Sequence, residues 1–179
     1  IYLQNYFDLK NQRSSSNWST LGPIDWDHDA ASRSYAPGSA HVYTVEQSIS
    51  DENIIYAGTA NAGVWKSTDR GVTWSPKTND FLTGGVTSIE INPTNANIVY
   101  AELLSNIYKS TNGGNSWQPT GDGSFMALTF ATRDIRCKPD QPTTVFAATE
   151  DGLFRTTNSG TTWTNVLGGD ALEIEFHPN

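Results

Sequence analysis

The 179-residue chain carries 15 Gly, 8 Pro and 20 aromatic side chains, a composition suited to strands joined by tight turns. Its single cysteine, Cys137, excludes an internal disulfide framework, and 19 acidic against 11 basic side chains give a net charge of −8, the wrong sign for a nucleic-acid partner. No run approaches ~18 consecutive apolar residues, so no transmembrane segment is expected, and residues 1–13 lack the basic and apolar regions of a signal peptide.

Taken from the N-terminus, Tyr2, Leu3, Tyr6 and Leu9 fit one face of a short helix, read as an adapter over residues 1–17. A lead-in strand and long loop follow over 18–38. Asn17-Trp18-Ser19 matches a glycosylation sequon, which has meaning only in a secretory context. Within the loop, Asp25, Trp26, Asp27, His28 and Asp29 form the densest polar cluster of the chain. Asp25, Asp27 and Asp29 alternate like the first positions of a calcium loop, but the sixth position is Ala30 rather than Gly and the twelfth is Ala36 rather than Glu. The cluster therefore reads as a solvated acidic loop, with a ligand patch in which Trp26 and Tyr35 stack on a sugar or peptide, or a calcium loop of Asp25, Asp27 and Asp29, as the alternatives; no cofactor is expected.

Three copies of one pattern come next. Asn53-Ile-Ile-Tyr-Ala57 precedes Ser67-x-Asp69-x-Gly71-x-x-Trp74, Asn97-Ile-Val-Tyr-Ala101 precedes Ser110-x-Asn112-x-Gly114-x-x-Trp117, and Thr143-Thr-Val-Phe-Ala147 precedes Thr156-x-Asn158-x-Gly160-x-x-Trp163. The closing tryptophans are 43 and 46 positions apart, the period of a four-stranded propeller blade. An Ile-x-Ile-x-Pro element leads each unit: Ile89 to Pro93, Ile135 to Pro139 with Cys137 inside it, and Ile174 to Pro178, while Val45 to Ile49 takes this place in the first unit. Alternation along this element predicts one buried face and one polar face.

The expected fold is all-β: a β-propeller of four-stranded antiparallel blades. Blade 1 spans 39–76, blade 2 spans 84–119, blade 3 spans 127–165, and 170–179 is the first strand of a fourth. Three blades and one strand do not close a ring of 4 to 8 blades. The sequence is thus expected to be a piece of a longer protein, its other partners being the remaining blades of the same chain.

The Ser/Thr-x-Asx-x-Gly-x-x-Trp segments resemble the Asp-box, or BNR repeat, of sialidases, sortilin-type receptors, xyloglucan-degrading enzymes and many secreted bacterial propellers. Copies two and three have Asn112 and Asn158 where the family has Asp, which keeps the acceptor and drops the charge. The resemblance implies that each box is the hairpin between the third and fourth strands, on the face opposite the usual ligand site. The ligand rim would then take the loops 76–85, 119–127 and 164–171 and the turns at 60–62, 103–105 and 150–152. Trp18-Ser-Thr-Leu-Gly-Pro23 also looks like the lead-in of large secreted bacterial propellers exported by the type IX system.

Catalytic readings fare less well. A sialidase-like site needs three convergent arginines; Arg33, Arg133, Arg136 and Arg155 are present, but the family's Phe-Arg-Ile-Pro element is not, because Phe154-Arg155 continues into Thr-Thr. A xyloglucanase-type site needs two carboxylates flanking the cleaved bond, and nothing in the sequence fixes such a pair around Asp27 or Asp29. His41 and His177 read as structural, and Cys137 as a small buried side chain. No catalytic residue is assigned. The leading expectation is an extracellular or cell-surface scaffold for adhesion, glycan binding or protein interaction. The alternative is the N-terminal part of a propeller glycoside hydrolase.

Overall fold

The computed structural model describes residues 41–79, 85–122 and 132–177. The chain divides into two compact units, Ile1–Ser39 and Ala40–Asn179, and the described residues all belong to the second. The proposed adapter, sequon, lead-in and acidic loop with its candidate residues lie outside the described residues, as does Arg33.

Runs of β-branched and aromatic residues separated by Asx, Gly and Pro form three antiparallel sheets of four strands. The first holds β1 (Val42–Gln47), β2 (Ile55–Thr59), β3 (Val64–Ser67) and β4 (Ser75–Pro76). The second holds β5 (Ile89–Ile91), β6 (Val99–Leu103), β7 (Asn106–Ser110) and β8 (Gln118–Pro119). The third holds β9 (Thr132–Lys138), β10 (Gln141–Thr149), β11 (Gly152–Thr156) and β12 (Thr164–Gly168). Each is a meander in sequence order, so the architecture is the all-β, four-stranded blade expected from the repeat.

Register places equivalent residues in a row across each sheet: Glu46, Tyr56 and Lys66; Glu90, Tyr100 and Lys109; Arg136, Phe146 and Arg155. This face of one sheet packs on the opposite face of the next. Tyr56 and Val64 of the first sheet meet Ile89, Ile91, Val99, Ala101 and Trp117 of the second. Tyr100 and Ile107 of the second meet Ile135, Cys137, Val145 and Ala147 of the third. Burying a side chain the size of Ile89 or Val99 stabilises by about 1.5–3 kcal/mol, so these two interfaces are the core.

The alternation reading of the inner strands needs correction here. All of β5 is buried, Glu90 included, because both faces of the middle sheet are covered by other sheets. Polar side chains on one inner strand instead accept hydrogen bonds from the next: Ile135 N donates to Ser88 Oγ (3.0 Å) and Cys137 N to Glu90 Oε1 (2.8 Å). Residues 170–177 carry no ladder, yet they repeat these contacts. Ile174 N donates to Asp134 Oδ2 (2.9 Å), and Ala171 N to the Thr149 carbonyl as Val86 N does to that of Thr59 (2.9 Å each). The segment therefore lies along the third sheet in the place of an inner strand.

The boxes are hydrogen-bonded turns. Ser67 Oγ accepts from Gly71 N (2.8 Å), Ser110 Oγ from Gly114 N (2.8 Å) and Thr156 Oγ1 from Gly160 N (3.0 Å). Asp69 accepts from Thr73 N (2.8 Å) and Thr73 Oγ1 (2.6 Å), and these bonds to the ionised form hold its carboxyl down at about 2. The Asn side chains keep the same acceptor and turn their amide N–H toward Ser116 (2.9 Å) and Thr162 (3.0 Å). Gly114 and Gly160 sit at φ 86° and 89°, where a Cβ is strained, and each lies over a tyrosine ring of the preceding sheet.

Among the described residues no helix is long and apolar enough to cross a membrane.

Candidate functional site at the mouth of the inner strands

Strand pairing fixes which features share an end of the sheets. Val42 pairs with Thr59, so the start of each inner strand and the turn between the second and third strands lie together; the boxes lie at the other end. The first of these ends is the rim. A cavity of about 330 Å³ opens here, lined by Tyr43, Thr87, Arg133, Asp134, Arg136 and Glu173 with their neighbours. This is near the lower limit of small-molecule sites.

Two arginines of β9 organise the charge. Arg133 reaches both rim loops of its own blade, with Glu150 Oε1 at 3.1 Å and Asp170 Oδ1 at 3.1 Å. Arg136 lies among three carboxylates from three inner strands: Asp134 at 3.4 Å, Glu90 at 3.5 Å and Glu46 at 3.6 Å. These pairs are partly exposed, and each is worth about 0–1 kcal/mol after solvent screening. Their chief effect is orientation, since a planar guanidinium with fixed acceptors has its remaining N–H groups aimed.

Burial dominates the acids. Desolvation pushes Glu90 up to about 7 against the bond from Cys137 N and the charge of Arg136, and it also raises Glu46 and Asp134. Glu102 is raised for the same reason. Its Oε2 lies 2.7 Å from Thr87 Oγ1, which is also 2.7 Å from the Thr132 carbonyl. Thr87 N also donates to Glu102 Oε2 (3.2 Å), so Thr87 ties β6, the residues before β5 and β9 together.

The arrangement offers paired donors and acceptors plus the half-exposed ring of Tyr43. Donor–acceptor pairs suit hydroxyl groups, which do both, and an aromatic face suits the apolar side of a sugar ring. Glu150 and Asp170 each accept from Arg133. Among the described residues no group of three His, Cys, Asp or Glu side chains is arranged to hold a metal ion.

The residues singled out in the sequence are distributed as follows. Arg133 and Arg136 converge on the mouth, whereas Arg155 lies on β11, exposed, on the outer face of the third sheet. His41 and His177 are exposed. Cys137 is buried, and burial beside Glu90 pushes its thiol up. The rim loops are described over 76–79, 119–122 and 164–171 and the three turns at 60–62, 103–105 and 150–152 in full. Sequence reading missed Glu46, Glu90 and Asp134. The available signal was the second residue of each inner-strand element, which is Glu46, Glu90, Arg136 and Glu175 in turn: a charge at every repeat.

No family model matches the chain. A probable oligoxyloglucan-reducing end-specific xyloglucanase from Neosartorya fischeri is 35% identical over 72 residues, which is 37% of this chain and 9% of that protein. Among solved structures, an ancestral GH74 enzyme matches with a TM-score of 0.60 at 22% identity, over 72% of this chain and 19% of its own. YCF48 from Cyanidioschyzon merolae matches with 0.59 at 16% identity, over 75% and 42%; a further YCF48 structure, bound to D1 peptide, matches with 0.56 at 21% identity, over 72% and 41%. The chain is three blades of a BNR-like β-propeller, similar in fold to the propellers of GH74 enzymes and of YCF48. It spans about a tenth of the curated relative that it matches.

Proposed function

We propose that these blades belong to a GH74-like propeller protein and that their rim binds a polysaccharide chain of the xyloglucan type. The observation that carries this reading is the channel mouth, where ion-paired Arg133 and Arg136, the hydroxyls of Thr44, Thr87 and Ser88, and Tyr43 line one cavity. The similarity to a xyloglucanase supports the same substrate class. Hydrolysis requires two carboxylates about 5–9.5 Å apart, one of them able to hold a proton. With Glu150 and Asp170 paired to Arg133, and Glu46, Glu90 and Asp134 gathered around Arg136, the role proposed for these three blades is binding. The location proposed is extracellular or at the cell surface, supported by the resemblance of the 18–23 lead-in to type IX-exported propellers. Adhesion would be one use of such binding.

A second reading, a protein-binding scaffold, draws support from YCF48, whose fold is similar and which has been seen with a peptide bound. Calorimetric titration with xyloglucan oligosaccharides and with unrelated glucans separates the two. Saturable binding of xyloglucan fragments, lost in Tyr43→Ala, is the expected result. No binding to any of these glycans overturns the polysaccharide reading.

A further inference from the structure

The two interfaces between sheets are built alike but are filled differently beside their last strands. At the first, the Lys77 side chain crosses from the end of β4 to the next box. Its Cγ lies 3.2 Å from the position a Cβ on Gly114 would take, and its Nζ donates to Asn115 Oδ1 (3.0 Å). At the second, Thr120 stands in the place of Lys77 and Thr161 in that of Asn115. The match is structural as well as by position: the box tryptophan donates to this residue in both, Trp117 Nε1 to the Lys77 carbonyl (3.0 Å) and Trp163 Nε1 to Thr120 Oγ1 (3.2 Å). Gly160 also faces Thr120 as Gly114 faces Lys77. The two threonines are too short to bridge the sheets, and a cavity of about 320 Å³ opens between them, its walls formed by described residues. That volume is near the lower limit of small-molecule sites.

The lining carries one charge, the ammonium of Lys109, and no carboxylate. Lys109 Nζ donates to the Ser159 carbonyl (3.1 Å) and lies 5.6 Å from the centre of the Tyr100 ring. An ammonium has three N–H donors, so this bond leaves two to serve a ligand. Burial disfavours the charged amine and lowers its pKa, a cost that a bound anion offsets. Behind Lys109 the Tyr100 hydroxyl, wholly buried beside the Ser159 side chain, has no well-formed hydrogen bond, so the neighbourhood is rich in donors and short of acceptors. The remaining polar groups act in both senses. Ser116 Oγ accepts from Asn112 Nδ2 (2.9 Å), which leaves its own hydrogen to give, whereas Thr161 Oγ1 gives its hydrogen to the Asn158 carbonyl (3.0 Å) and keeps its lone pairs. The Gln118 amide offers a donor and an acceptor.

We propose that this cavity between the second and third sheets binds an acidic sugar residue, whose carboxylate meets Lys109 Nζ and whose hydroxyls meet Ser116, Gln118 and Thr161. The single cation fixes the anionic end, and the mixed donors and acceptors suit hydroxyl groups, which are both. A lone inorganic ion would use Lys109 and leave most of the cavity to water. The site lies among the boxes, at the end of the sheets opposite the mouth, so it stands independently of the polysaccharide reading of the rim.

Free glucuronate is the probe, with glucose and inorganic sulfate as controls, and amide chemical shifts in NMR titrations are the readout. Saturable shifts at 109–111, 116–121 and 159–161 are expected with glucuronate, and at least tenfold weaker binding with glucose and with sulfate. Lys109→Gln keeps the length of the side chain and removes the charge, and it is expected to weaken glucuronate at least tenfold. The double variant Thr120→Lys, Thr161→Asn rebuilds the first interface at the second. It fills the cavity while adding a positive charge, so binding is expected to disappear, whereas attraction by charge alone would strengthen it. This variant decides the matter if Lys109→Gln fails to fold. The proposal is overturned if glucose or sulfate binds as tightly as glucuronate, or if glucuronate causes no saturable shifts at these residues. Binding that survives in folded Lys109→Gln or in the double variant also overturns it.

Discussion

Glu90→Gln isolates the electrostatic cost at the channel mouth. Glu90 is 7% exposed, and burial raises it from an ordinary 4.5 to about 7 in the folded state. The folded protein therefore holds a proton that the unfolded chain releases, between pH 4.5 and about 7. Stability is fully present below the unfolded value and is lost as pH rises through the folded one. At 1.36 kcal/mol per pH unit, the loss attributable to Glu90 is about 3 kcal/mol. A glutamine keeps the oxygen that accepts from Cys137 N and cannot ionise. The variant should match the parent near pH 4 and exceed it by up to about 3 kcal/mol at pH 8. Glu46 and Asp134, raised in the same direction, leave both proteins a residual downward slope, so the difference between the two curves is the quantity to read. Urea unfolding at half-unit steps from pH 4 to 8.5 measures it. Parallel curves, or a variant that weakens more steeply than the parent above pH 7, would refute the reasoning.

Three further perturbations follow from packing. Trp117 is 4% exposed between the first two sheets, so Trp117→Ala should cost about 3–5 kcal/mol and Trp117→Phe, which loses the bond to Lys77, about 1 kcal/mol more than its change in volume alone; denaturant titration checks both. At Gly58 a Cβ would stand 2.7 Å from the Val86 carbonyl oxygen and 2.8 Å from Val86 Cγ1, atoms fixed by the sheet interface, so Gly58→Ala should destabilise by about 1–3 kcal/mol in thermal melts. Cys137, buried with its thiol pushed up, should react with a thiol-specific disulfide reagent only at the rate of unfolding, and rapid stoichiometric labelling of the native protein would contradict its placement.

The blades were legible because their determinants are local. Each box closes on itself within eight residues, and the side-chain bonds of Ser67, Asp69 and their equivalents reach no farther than four positions. Strand order followed from short connections and the repeat. The mouth was not legible in the same way, because Glu46, Glu90 and Arg136 meet across some 45 residues of sequence and take meaning only from the register between sheets. Alternation along the inner strands pointed to one buried face, whereas all of β5 is buried because the middle sheet is covered on both sides. The contact between neighbouring sheets was half visible: the box tryptophan and glycine stood out, but Lys66 and Lys109, each directly before the first residue of its box, gave no sign that they reach the next sheet.

The most direct test of the central claim is the exchange footprint of a bound xyloglucan oligosaccharide. Saturating ligand should slow amide exchange at 43–45, 87–89, 132–136 and 171–173, the inner strands and rim, and leave the boxes at 67–74, 110–117 and 156–163 unchanged. Protection at the boxes, or none at the mouth despite saturable binding, would contradict it.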